Sequence, residues 1–161
     1  MKRIDFTNKE MVFNKLIDIF PIKPTPLVPV DIRGMDDEDI VHSFFSDKTW
    51  TNIASKLNLQ DDSYALELGV SFLPENVFSY YIPLYIYAAL YNKDELWVFE
   101  SDFIQHYLCP EYQSCEDFFS FILNFSDSQM YIIAQFMSYE SEVLGFGYAS
   151  RACQDFWDLY L

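Results

Sequence analysis

Glycine is scarce in this 161-residue chain, 4 in all, which is too few for a glycine-rich phosphate cradle. Cysteine is equally sparse. Cys109, Cys115 and Cys153 form an odd set with no CxxC pair, so no disulfide framework is expected and a reducing, cytoplasmic setting fits best. Positive charge is the third shortage. Ten Lys and Arg stand against 25 Asp and Glu, giving a net charge of −15 and a pI near 4.2, which excludes a phosphate-neutralising nucleic-acid surface and disfavours an anionic membrane. Long apolar runs are missing too. The longest uncharged stretch, Asn76 to Asn92, is 17 residues and holds five tyrosines and Pro83, so no membrane span is expected. Asp5, Lys9 and Glu10 interrupt the first apolar turns, and no signal peptide is expected either.

What is plentiful is apolar and aromatic: 51% hydrophobic and 19% aromatic residues, with 16 Phe, 12 Tyr and 3 Trp, enough for a buried core without staples. The charge is unevenly spread. Residues 1 to 33 hold six of the ten basic residues against four acids, a net +2, so the remainder carries −17. From Asp94 to Leu161 the only Lys or Arg is Arg151, against twelve acids. A basic partner is the natural complement of such a surface, although acidity that merely keeps an aromatic-rich protein in solution would look the same.

Hydrophobic spacing predicts helices throughout. Val12, Leu16, Ile19 and Phe20 form one stripe, opened by Thr7 or Asn8 and ended by Pro21. Pro21, Pro24, Pro26 and Pro29 then predict an extended connector, with a PxxP ligand as the weaker alternative. A helix is predicted over Asp36 to Phe45, and another with Trp50, Ile53, Ala54 and Leu57, capped by Asp47 or Thr49 and closed by Asn58 to Ser63. Pro74 to Tyr91 predicts a helix apolar on most sides, with a strand over Tyr80 to Tyr87 as the alternative. Leu96, Phe99, Phe103 and Tyr107 keep helical spacing, as does Cys115 to Leu123. Ser126 and Gln129 form a capping box ahead of Met130, Ile133, Ala134 and Met137. A last helix places Ala149, Cys153, Phe156, Trp157 and Tyr160 on one face. The expected fold is a single all-α domain of seven or eight helices, residues 1–33 supplying the first helix and connector and residues 34–161 the main body.

Catalytic chemistry is harder to find. His106, Cys109 and Cys115 have no fourth ligand at structural-site spacing, so no metal and no cofactor are expected. A Cys–His nucleophile pair using His42 or His106 is the other arrangement considered, and packed thiols are the better reading. Acid pairs such as Asp61 with Asp62 are expected by chance at this composition, and no sugar-binding cleft is marked. The Gly145-Phe146-Gly147 step reads as a turn. No enzyme and no small-molecule substrate are expected.

The segments Ser71-Phe72-Leu73-Pro74-Glu75 and Phe78-Ser79-Tyr80-Tyr81-Ile82-Pro83-Leu84-Tyr85 resemble a family of small uncharacterised bacterial helical proteins, with the Tyr-Tyr-x-Pro step as its mark. Phe125 to Gln129 leading to Phe136 and Met137 is a second match, and Ala152, Phe156 and Trp157 a third, so the likeness covers Asp36 to Leu161. Small acidic proteins of this pattern are similar to immunity proteins of contact-dependent growth inhibition and related polymorphic toxin systems. The resemblance implies a cytoplasmic binder that silences a cognate toxin domain, a basic protein of nuclease type; it brings no catalytic residues. The alternative is a structural or regulatory interaction module with no toxin partner. The candidate partner-binding residues are the acids Asp36, Asp37, Glu38 and Asp39 at one helix start and Asp155 and Asp158 on the polar side of the last helix.

Overall fold

Capping chemistry decides where most of the helices begin in the computed structural model, which describes residues 3–29, 36–90, 98–145 and 147–161. Asn8 accepts a hydrogen bond from the Met11 N–H at 3.0 Å and opens α1 (Lys9–Ile19). After α2 (Asp36–Phe45), Thr49 rather than Asp47 caps α3 (Trp50–Ala54), accepting from the Asn52 N–H at 3.1 Å. Lys48 closes α2 from behind: its Nζ donates to the Ser43 and Phe44 carbonyls at 2.7 and 3.0 Å, placing a cation on the negative end of the helix dipole. The expected capping box opens α8 (Asp127–Tyr139), with the Ser126 N–H donating to Gln129 Oε1 at 2.8 Å.

One helix was hidden from the sequence reading. Asn58 to Ser63, expected to close α3, instead starts α4 (Leu59–Phe72). Asn58 accepts from the Gln60 N–H, and its own N–H donates to Asp62 Oδ2 at 2.8 Å, so a polar run that looks like a loop is helix-start chemistry. The long apolar segment is helical, α5 (Glu75–Ala89), with Pro74 one position outside it and Pro83 in its interior; the strand alternative is not what forms. Then follow α6 (Val98–Phe103), a π-helical turn (Ile104–Leu108), α7 (Cys115–Ile122) and α8, a second π-helical turn (Glu140–Leu144), and α9 (Gly147–Asp155). Leu96 and Phe146 lie outside the described residues. The expected last helix breaks at Phe156, whose φ of −147° leaves the helical region, and the chain ends in a 3-10 turn, Trp157–Tyr160. The described residues thus form nine α-helices and no strand, an all-α fold. None of these helices is long and apolar enough to cross a membrane.

α5 is the centre of the packing. It touches α1, α3, α4, α6 and α7, which is why its apolar residues surround the helix instead of forming a stripe. The expected boundary between residues 33 and 34 lies outside the described residues, but Phe6, Val12, Leu16, Phe20 and Val28 join the same core as the rest of the chain. Several aromatics carry polar tips into that core and find a carbonyl outside their own helix. Tyr81 Oη donates to the Phe45 and Lys48 carbonyls at 2.8 and 2.9 Å, Tyr85 Oη to Leu66 at 2.7 Å, and Tyr107 Oη to Val70 at 3.2 Å. Trp157 Nε1 reaches the Leu108 carbonyl at 2.7 Å. Burial without such partners would cost about 1–3 kcal/mol per group. The proline-rich connector is pinned the same way: Trp50 Nε1 donates to the Pro21 carbonyl at 3.0 Å and Tyr80 Oη to the Ile22 carbonyl at 2.6 Å.

The α4–α5 crossing depends on a missing side chain. A Cβ on Gly69 would overlap the Tyr85 hydroxyl and lie 2.8 Å from the Phe45 ring, both fully buried. Gly69→Ala is therefore expected to destabilise by about 1–3 kcal/mol, despite alanine's better helix propensity. A urea midpoint equal to or above that of the wild type would show that the rings yield freely.

Candidate partner-binding surface

The acids at the start of α2 do not act alike. Asp36 and Asp39 are exposed, whereas Asp37 and Glu38 are half-buried. Asp37 Oδ1 accepts a 3.0 Å hydrogen bond from Tyr64 Oη of α4, and the same contact raises the Tyr64 pKa. One of the four acids thus fastens α2 to α4. Asp155 and Asp158 are both exposed, but the break at Phe156 separates them: Asp155 ends α9 and Asp158 belongs to the 3-10 turn. The expectation of two acids on one helical face is corrected accordingly. Continuous aromatic spacing hid the break.

Packing of α2 on α4 creates an acidic groove that spacing along the chain does not reveal. It is a shallow, open depression of about 440 Å³ between Asp39, Ile40 and Phe44 of α2 and Asp61 and Asp62 of α4, with Lys48 at one end. Lys48 is committed to the α2 carbonyls and its Nζ lies 5.8 Å from the Phe44 ring centre, so it faces the groove already paired. The groove presents the exposed carboxylates of Asp39 and Asp61 beside an apolar floor, with half-buried Asp62 next to them. Asp61 and Asp62 each place one oxygen on Asn58, at 2.6 and 2.8 Å, and the arrangement suits Lys or Arg side chains whose stems pack while their heads pair. Asp61 and Asp62 were passed over in the sequence as a chance pair. Knowing that α4 exists, and packs on α2, is what brings them beside Asp39.

Two arginines elsewhere are in ion pairs. Arg3 Nη2 lies 2.9 Å from Glu142 Oε2, and Arg151 Nη2 is 2.9 Å from Glu111 Oε1. Neither Asp155 nor Asp158 takes part in these two pairs.

The cysteines and histidines do not converge on a reacting centre. Cys109 and Cys153 are buried, and burial pushes their thiols up to about 12 and about 11, which keeps them protonated and unreactive at neutral pH. Cys115 is exposed on α7, and His106 packs edge-on against Tyr107 at 4.6 Å. Among the described residues no group of three or more His, Cys, Asp or Glu side chains could hold a metal ion.

A pair of carboxyl groups is the chemical feature that sequence reasoning missed. Glu100 of α6 is 4% exposed and Glu140, the first residue of the second π-helical turn, 0%. Burial is the larger influence and pushes the Glu100 carboxyl up to about 7, with the Glu140 side chain as a neighbour that acts the other way. Tyr148 lies close enough for both acids to raise its pKa. Such an acid holds a proton near neutral pH, but at this burial it is not presented to a substrate. No protein-family model, curated protein or solved structure matches this chain.

Proposed function

We propose that the protein is a non-enzymatic binder that neutralises a basic toxin domain in the cytoplasm, in the manner of the immunity proteins its sequence resembles. The observation that carries this reading is the α2–α4 groove: exposed carboxylates from two helices face outward over an apolar floor, and the nearby cation, Lys48, is held by helix carbonyls. Complementary charge speeds encounter by orders of magnitude, which serves an inhibitor that must reach a toxin before the toxin reaches its target. Asp36, Asp39, Asp61 and Asp62 would attract and orient the partner, and Asp37 would hold α2 in place through Tyr64.

The test removes charge without removing structure. Asp36→Asn with Asp39→Asn leaves exposed side chains that still hydrogen-bond, so stability should change little. Stopped-flow association with a basic toxin domain, sought first in the product of an adjacent gene, should slow several-fold at low salt, with a shallower salt dependence. Equal rates for wild type and variant would remove this end of α2 from the encounter surface.

A further inference from the structure

A second surface has a composition that an ordinary solvent face lacks. α7 buries Phe118, Phe121 and Ile122, and one flank beside this buried face is also apolar: Phe119 is 52% exposed and Leu123, four residues on at the C-cap, 85%. Residues at that spacing lie one above the other on a helix. The C-terminal turn packs beside this flank through buried Phe156. The Phe156 ring sits 4.8 Å from Phe118 and 6.1 Å from Phe119, Tyr160 is 5.3 Å from Phe156, and Leu159 is 81% exposed in the same turn. Single exposed apolar residues are ordinary; a run shared by two elements marks a contact surface.

Its surroundings choose the occupant. Exposed Glu116 and Asp117 stand in the first turn of α7, and exposed Asp155 and Asp158 flank Phe156 in the chain. Arg151, the single Lys or Arg between Asp94 and Leu161, is held by Glu111. A second copy of this chain would bring like-charged rims together at a net charge of −15 each, and anionic lipid or nucleic acid would be repelled in the same way. We infer that the Phe119–Leu123 face of α7, with the C-terminal turn, is the apolar centre of an interface for an amphipathic basic segment of another protein. The inference rests on the reading of the chain as a binder of basic partners and names where the partner's apolar side chains go. Aromatic anchors inside a charged rim are the arrangement in which a few residues dominate binding.

Cys115 makes the face directly observable. It is exposed, one turn before Phe119, whereas Cys109 and Cys153 are buried with raised thiol pKa values and do not compete for a label at neutral pH. The full chain, carrying an environment-sensitive fluorophore on Cys115, is titrated with a helical Leu/Lys peptide and with its Leu/Glu counterpart. The Leu/Lys peptide should give a saturable, salt-sensitive shift, and the Leu/Glu peptide none. Phe119→Ser with Leu123→Ser alters only exposed side chains and should weaken binding about tenfold or more, with the circular dichroism unchanged. Equal affinity in that variant overturns the inference. If the peptide then loses affinity on Asp36→Asn with Asp39→Asn instead, the basic-partner reading survives at α2 and this face does not. Calorimetry that detects no Leu/Lys binding anywhere defeats both. Self-association of the wild type that vanishes in the serine variant would assign the face to a second copy and also overturn the inference.

Discussion

Glu100→Gln should raise stability at pH 8 and flatten its dependence on pH. In the folded protein burial pushes the Glu100 carboxyl up to about 7, while its ordinary value is 4.5. Between those two values the folded state holds a proton that the unfolded chain has released. The stability this group contributes is therefore complete below about pH 4.5 and is lost as pH rises through about 7, a change on the order of 3 kcal/mol. Glutamine keeps the size and polarity of the side chain without a charge to bury. The remaining acids titrate in both proteins and cancel in the difference. Urea midpoints at pH 5 and pH 8 check this: the gap between wild type and variant should widen toward pH 8, and a constant gap would mean that Glu100 is not held protonated.

The largest loss is expected at Tyr81. Its ring is fully buried, 4.8 Å from Phe45, and its hydroxyl ties α5 to two carbonyls, of Phe45 at the end of α2 and of Lys48 beyond it. Tyr81→Ala removes both and should cost about 3–5 kcal/mol, as truncation of large core aromatics does. Tyr81→Phe keeps the packing and leaves two carbonyls without their donor, for a smaller cost of about 1–3 kcal/mol. The order of urea midpoints, wild type above Phe above Ala, checks the assignment. An unchanged midpoint in Tyr81→Ala, with partner binding lost, would mean that the Tyr-Tyr-x-Pro step is a surface and not a strut.

Local signals in the sequence were reliable where one residue decides the outcome. Asn8, Thr49 and the Ser126–Gln129 box start helices through their own side chains, and the spacing of Ile40, Val41, Phe44 and Phe45 marks α2 without help from the rest of the chain. α4 failed that test because its first turn is polar and Gly69 interrupts its apolar face; the glycine is explained by Tyr85 and Phe45, which approach it from other helices. The break at Phe156 was invisible because aromatic spacing runs on through it, while the Trp157 bond to Leu108 fixes the turn beyond it from a distant element.

The candidate surface was legible only in part, for the same reason. Asp36 and Asp39 stand out as a cluster along the chain, but Asp61 and Asp62 join them through α2–α4 packing. Glu100 and Glu140 could not be singled out among 25 acids, since what distinguishes them is burial. Phe119 and Leu123 obey helical periodicity as well as the core residues do. Only the structure shows that they are on the outside.

The central claim is that this acidic helical protein neutralises a basic partner, and an inhibition titration tests it most directly. A basic toxin domain, sought first in the product of an adjacent gene, is assayed while the purified protein is added at physiological salt. The account predicts that activity falls in proportion to the protein added, disappears at equimolar amounts, and is partly restored by high salt. Full toxin activity in the presence of a molar excess of the protein would contradict it.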